Sequence, residues 1–232
     1  MFEQITYLLW LVLCIGIPLL IMLRWHNQLW QQRRALAFAV LGSLGGGWAW
    51  DALAVHFDLW YYNAANIAGI WWLGLPLEEW LWIIGVTLLF GSITVIVADR
   101  LGVFPEETPS LLSLVHLPVC LSMTFLPSQF SYLFMLIVAA LIFHGILWAR
   151  NAPFLWRNRR IIFTVVAIAE VWMVITDPIG GHWGAWYFTP TKVLGIWFLQ
   201  VMPLEDFLGA AVVSSAAAAA ILVFGYSKRR WI

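Results

Sequence analysis

The chain has 232 residues, of which 63% are hydrophobic and 10% charged, against roughly 45–50% and about 25% for an average soluble domain. That balance excludes an ordinary soluble enzyme, and a formal net charge of zero, from 12 Lys+Arg and 12 Asp+Glu, leaves no basic excess to bind nucleic acid. Cys14 and Cys120 sit in apolar runs without CxxC or ligand spacing, so both read as small buried residues, with neither a disulfide framework nor a zinc site.

A bilayer-crossing helix needs about 20 mostly apolar residues, because each backbone polar group has to be satisfied within its own segment. In chain order the segments that qualify are 4–23, 35–56, 76–98, 110–126, 130–149, 161–179 and 203–226. The first is not preceded by a basic stretch or followed by a small-residue cleavage site, and reads as a retained membrane helix rather than a signal peptide. The expected fold class is all-α, an integral membrane bundle of about seven transmembrane helices. On this map Arg24, Arg33, Arg34, Arg100, Arg150, Arg157, Arg159, Arg160, Lys228, Arg229 and Arg230 share one side, and Lys192 alone lies on the other. Because Lys and Arg collect in cytoplasmic loops, the N-terminus is expected outside and the C-terminus in the cytoplasm of a bacterial or archaeal cell membrane.

A shift of 126 residues carries Arg33-Arg34 onto Arg159-Arg160, Asp51 onto Asp177, His56 onto His182, Trp60-Tyr61 onto Trp186-Tyr187, and Gly69-Ile70-Trp71 onto Gly195-Ile196-Trp197. With one residue inserted, Pro76-Leu77-Glu78-Glu79 then meets Pro203-Leu204-Glu205-Asp206. This self-similarity divides the chain into a first three-helix repeat (1–109), a connector helix (110–129) and a second three-helix repeat (130–232). Four helices separate equivalent positions, so the repeats are parallel and related by an axis along the membrane normal. Asp51, His56, Glu78 and Glu79 then gather at one depth with Asp177, His182, Glu205 and Asp206.

Acids in a first helical turn behind a proline complement the helix dipole, which is one reading of both motifs. Against it, eight acids (Asp51, Asp58, Glu78, Glu79, Glu170, Asp177, Glu205 and Asp206) lie in or near the outer half with Lys192 as the one permanent cation. A carboxyl withdrawn from water among other carboxyls keeps its proton more readily, and a neutral carboxylic acid can donate it. Intramembrane acids are costly, which makes them candidates for function. Glu170 shifts onto apolar Leu44 and shares a helix face with Asp177, so it is either a packing carboxyl or a proton relay. His56 and His182 are either helix caps or relays; His116 and His144 have no counterpart.

Many of the 17 Trp suit an interfacial belt. Those at the acidic level, with neighbouring tyrosines, also offer ring faces to a cation, an interaction of roughly 0.5–2 kcal/mol each; Trp60, Tyr61, Trp71, Trp186, Tyr187 and Trp197 are the candidates. Acids within aromatic walls suit a carbocation made by protonating an alkene. No GxGxxG, Walker loop or HExxH occurs, so no redox cofactor, nucleotide or metal is implied. Both lysines, Lys192 and Lys228, fall outside the spans, which removes a retinal Schiff base.

The doubled Pro-x-Glu-(Glu/Asp), with Asp51 and Trp60-Tyr61 matched by Asp177 and Trp186-Tyr187, resembles the membrane-integral lycopene cyclases, whose two halves are separate subunits in some bacteria and fused elsewhere. The resemblance implies cofactor-independent closure of the linear ends of lycopene, or of a related acyclic carotenoid, into β-rings, giving γ- and β-carotene. It carries acid and base roles to Glu78, Glu79, Glu205 and Asp206, with Asp51 and Asp177 as supporting acids and aromatic stabilisation from Trp60, Tyr61, Trp186 and Tyr187. Two other classes fit less of the pattern. A proton-coupled transporter of three-plus-one-plus-three helices would need interrupted helices near the midplane. A membrane polyprenyl transferase would need basic residues beside its acids. The sequence sets no oligomeric state.

Overall fold

The computed structural model describes residues 6–105 and 127–227. Six of its helices are long and apolar enough to cross a membrane, and the protein is an all-α integral membrane bundle. Helix α1 is Thr6–Trp25, with a π-helical stretch at Val12–Gly16. A single turn at Gln28–Gln31 leads into α2, Arg33–His56. Then follow α3, Leu77–Leu101, α4, Ser131–Arg157, α5, Arg159–His182, and α6, Leu204–Tyr226. The expected span at 110–126 lies outside the described residues, as do Cys120 and His116. Cys14 is half-buried rather than buried.

Helices α3 and α6 form the centre, with over half of each apolar window buried inside the protein. Their contact is close because the facing residues are small. Ala217, Ala218 and Ala219 of α6 are buried beside Phe90 and Leu89 of α3, and a Cβ on Gly91 would fall 2.9 Å from Leu36 and 3.4 Å from Ile221. Small residues let helices approach where lipid supplies no hydrophobic drive for association. The fifth span continues beyond its expected end at 149 because α4 bends at Asn151 (φ −130°) ahead of Pro153 and resumes to Arg157, the kink expected where proline removes a backbone bond.

The loops after α2 and α5 contain pairing that the all-helical reading did not anticipate. Strands β1 (Trp60–Tyr61), β2 (Trp71–Trp72), β3 (Leu75–Pro76), β4 (Tyr187–Phe188), β5 (Trp197–Phe198) and β6 (Met202–Pro203) are two residues each. Antiparallel β1 and β4 join the two loops with Trp60 opposite Phe188 and Tyr61 opposite Tyr187. The other strands form hairpins, β2 with β3 and β5 with β6. The first turns through Leu73 (φ 48°) and Gly74 (φ 83°), the two left-handed residues of a tight hairpin. The second has one more residue, and Gln200 takes the left-handed conformation (φ 64°) without a glycine. Pro76 and Pro203, expected inside the first helical turns, instead close these hairpins in extended conformation (ψ 156° and 154°) immediately before α3 and α6. Their pairing with Trp71 and Trp197 holds them out of the helix.

Candidate active site

The hairpins place the two acids of each motif differently. In α3 the first acid, Glu78, is fully buried and its Oε1 accepts the backbone N–H of Ala68 at 2.6 Å. In α6 Glu205, also fully buried, accepts the backbone N–H of Leu194 in the same way. Each therefore anchors the loop that precedes its own helix. The next residue, one helical step of about 100° round, points elsewhere. Glu79 and Asp206 line a cavity of about 90 Å³ together with Asp51 of α2 and Asp177 of α5.

Within this cavity the acids are arranged as two electrostatically interacting pairs, Asp51 with Glu79 and Asp177 with Asp206. Glu79 Oε2 accepts two phenols, Tyr7 at 2.9 Å and Tyr62 at 2.6 Å, and Trp60 Nε1 in turn donates to the Tyr62 oxygen at 3.0 Å. Asp206 Oδ1 accepts Tyr132 at 2.7 Å, and Asp177 Oδ1 accepts the Thr176 hydroxyl at 3.2 Å. Among the described residues Asp51 Oδ2 is buried with no hydrogen-bond partner, as are the second carboxyl oxygens, Oε2, of Glu78 and Glu205. Burial, with Glu79 and Asp51 facing it, pushes the Tyr62 phenol well above its ordinary value, so it stays a donor.

The remaining walls are largely aromatic. Tyr7, Trp172 and Trp186 line the cavity, Tyr7 lying 5.3 Å from Trp186, and Trp10 packs behind them, edge-on against Trp186 (5.0 Å, 84°) and near Trp172 (5.9 Å). Gly180 makes this possible, since a Cβ there would fall 2.3 Å from the Trp186 ring. Trp50, Trp60, Trp82, Phe90 and Phe188 add further rings, beside smaller apolar residues such as Val86, Met173 and Ala210, and no Lys, Arg or His belongs to the lining among the described residues. Lys192 is engaged elsewhere, donating to the carbonyl of Phe57 and sitting 3.9 Å from the exposed Asp58. The site thus concentrates carboxyls and π-faces around an apolar space. That suits the handling of a proton and the stabilisation of a cation.

The sequence matches the Lycopene cyclase family over residues 4–97 and 112–224. The chain belongs to the lycopene cyclase family. It is similar to proteins named lycopene beta-cyclase from two strains of Halobacterium salinarum, at 24% identity over 238 residues covering 97% of this chain and 98% of theirs. No solved structure matches it. Membership makes the protein an enzyme of the carotenoid-cyclase type, working on the membrane.

Of the positions that carry the resemblance to lycopene cyclases, Asp51, Glu79, Asp177, Asp206, Trp60 and Trp186 meet in the cavity. Glu78 and Glu205 stand behind it. Tyr61 and Tyr187 stack on each other at 5.5 Å across the β1–β4 ribbon and remain exposed. Trp71 lies edge-on to Tyr62, and Trp197 packs by the second hairpin. His56 is exposed against Phe57, and His182 Nδ1 lies 2.9 Å from the Pro178 carbonyl; neither lines the cavity. Glu170 is partly buried and interacts with Asp177 and Asp206 from outside the lining. His144 bonds Ser215 at 2.8 Å. Several interfacial Trp hold hairpins, with Trp48 Nε1 donating to Leu73 O and Trp80 Nε1 to Trp72 O. The residues not anticipated are Tyr7, Tyr62 and Tyr132. A shift of 125 carries Thr6-Tyr7 onto Ser131-Tyr132, a match visible once the two repeats are allowed a gap.

Proposed function

We propose that the protein is a lycopene β-cyclase that closes the linear ends of lycopene into β-rings by acid catalysis, without a redox cofactor or metal, giving γ- and then β-carotene. The observation that carries this reading is the meeting of two carboxyl pairs in one aromatic cavity with no cation in its described lining. Within the first pair, Asp51 Oδ2, buried and unpartnered, is suited to carry a proton. Glu79, stabilised by two phenols, is suited to receive one.

In the proposed reaction the Asp51 carboxyl gives its proton to C2 of the terminal alkene, leaving a tertiary cation at C1. The C5–C6 double bond attacks C1, forming the ring bond and moving the positive charge to C5. Glu79 removes the proton from C6, and those electrons become the C5–C6 double bond of the β-ring. Return of the proton from Glu79 to Asp51 completes a cycle in which substrate and product are isomers. Trp60 and Trp186 face the developing cation, and Glu78 and Glu205 keep the loops over the site in place. Asp177 and Asp206 form the equivalent pair of the second repeat, the one-residue-shorter Asp206 making the two unequal. Tyr61, Tyr187, Trp71 and Trp197 act through the loop framework, and the 1–109, 110–129 and 130–232 division stands as the repeat plan. The Arg-rich loops support a C-terminus in the cytoplasm and, with it, a cavity in the outer half.

The test is expression in a lycopene-accumulating bacterium, with chromatographic separation of pigments against a no-insert control. Monocyclic and bicyclic products are expected. Unchanged lycopene, with the protein shown to be in the membrane, would overturn the reading.

A further inference from the structure

We propose that the body of the polyene lies in a second groove, between α2, α3, α4 and α6, that adjoins the acid cavity; this rests on the cyclase reading above. The groove has a volume of about 340 Å³ and shares Trp50, Asp51, Trp82, Val86 and Val213 with the acid cavity, so the two spaces adjoin at these side chains. Asp51, whose Oδ2 has no partner, stands at the junction. Beyond it the lining is apolar except for Ser43 and Thr87. Both hydroxyls are already bonded to their own helices, at Val40 O (2.9 Å) and Ile83 O (2.8 Å). A lining of this kind offers nothing to a polar solute or an ion.

Its shape narrows the choice further. From Asp51 to Phe38 the groove follows α2 for 13 residues, about 20 Å at 1.5 Å per residue, so it takes a long straight chain and not a compact molecule. Its width comes from missing side chains. Gly42 has open space where a Cβ would be, and a Cβ on Gly46 would lie 2.8 Å from the Phe143 ring. Across from them α6 presents Ala216, Ala217 and Ala220. Phe38, Ile142 and Ile146 along its length are exposed, on the surface a membrane helix turns to lipid.

The positions 126 residues further on are filled instead. Gly42, Gly46 and Gly47 correspond to Ile168, Trp172 and Met173. Trp172 is pinned, its Nε1 donating to the Cys14 carbonyl at 3.0 Å and its ring against Phe90 at 5.6 Å. Among the described residues the first repeat therefore carries small side chains along the groove, where the second carries large ones. A substrate with two reactive ends that lays its chain in this groove presents one end at a time to Asp51, so the ends are cyclised in separate visits.

The test compares the full chain with Gly42→Phe, a substitution into open space that blocks the path, and with Ala216→Phe on the opposite wall. Lycopene binding is read by quenching of Trp fluorescence in lipid vesicles. Turnover is compared between lycopene and an acyclic C20 polyene with the same dimethylalkene end. Losing burial of even two methylene groups corresponds to about tenfold in affinity, so lycopene binding, and the preference for lycopene over the C20 probe, are expected to fall by at least that factor in both variants. Wild-type binding and preference in either variant that reaches the membrane would overturn the groove assignment. So would a wild-type protein that binds no lycopene. A wild-type protein that binds lycopene in a groove-dependent way without cyclising it would uphold the groove and overturn the cyclase reading alone.

Discussion

The two phenols that converge on Glu79 Oε2 allow a graded test of the proposed base. Tyr7→Phe removes the 2.9 Å bond and keeps the ring that packs against Trp186; Tyr62→Phe removes the 2.6 Å bond and also strands the Trp60 N–H. A hydrogen bond to a charged group is worth about 1.5–3 kcal/mol net. If Glu79 acts as a carboxylate, each substitution slows ring closure by about 10- to 100-fold, Tyr62→Phe more than Tyr7→Phe. The double variant loses more than the product of the two, because in each single variant the remaining phenol still serves as donor to the same oxygen and partly compensates. The assay is the initial rate of monocyclic carotenoid formation in membranes containing equal amounts of each protein, with Tyr226→Phe, at the far end of α6, as the control. Rates within about twofold of wild type in both single variants, far short of the loss a charge-assisted bond implies, would refute Glu79 as the charged partner.

Other substitutions test the supporting structure. Gly180→Ala puts a Cβ 2.3 Å from the Trp186 ring and should lower thermal stability by about 1–3 kcal/mol while displacing a cavity wall; an unchanged melting temperature in detergent would contradict the packing. Glu78→Ala strands the Ala68 N–H and should cost about 1–3 kcal/mol, whereas Glu78→Gln keeps an acceptor and should cost less. Equal melting temperatures for these two variants would argue against a loop-anchoring role. Glu79→Gln and Asp206→Asn should abolish or severely slow ring formation with membrane insertion intact, and wild-type turnover in both would sink the assignment. Reporters fused at the C-terminus should read cytoplasmic, and an outside location would reverse the proposed orientation.

The bundle was legible because spans announce themselves by length and apolarity, and the described helices start and end within three residues of expectation except at the end of α4, which runs on past its kink to Arg157. The strands were hidden for a physical reason. Two-residue segments such as Trp71–Trp72 carry no periodicity, and the left-handed turn at Leu199 and Gln200 lacks the glycine that would have signalled it. The acids were recognisable as a group, but adjacent residues such as Glu78 and Glu79 cannot be told apart until the helix start is known to the residue. The tyrosines escaped notice because a Tyr near a membrane surface is ordinarily an anchor, and nothing local marks Tyr7 or Tyr132 as facing inward.

The β1–β4 ribbon has a consequence for assembly. Its partners, Trp60 with Phe188 and Tyr61 with Tyr187, come from opposite halves of the chain, and the cavity beneath it takes one acid pair from each half, Asp51 with Glu79 from the first and Asp177 with Asp206 from the second. Neither half owns a complete chamber. Were the polypeptide severed between the halves, the pieces would form an obligate heterodimer, with the ribbon and the packed α3 and α6 as its seam and the chamber present only in the joined form.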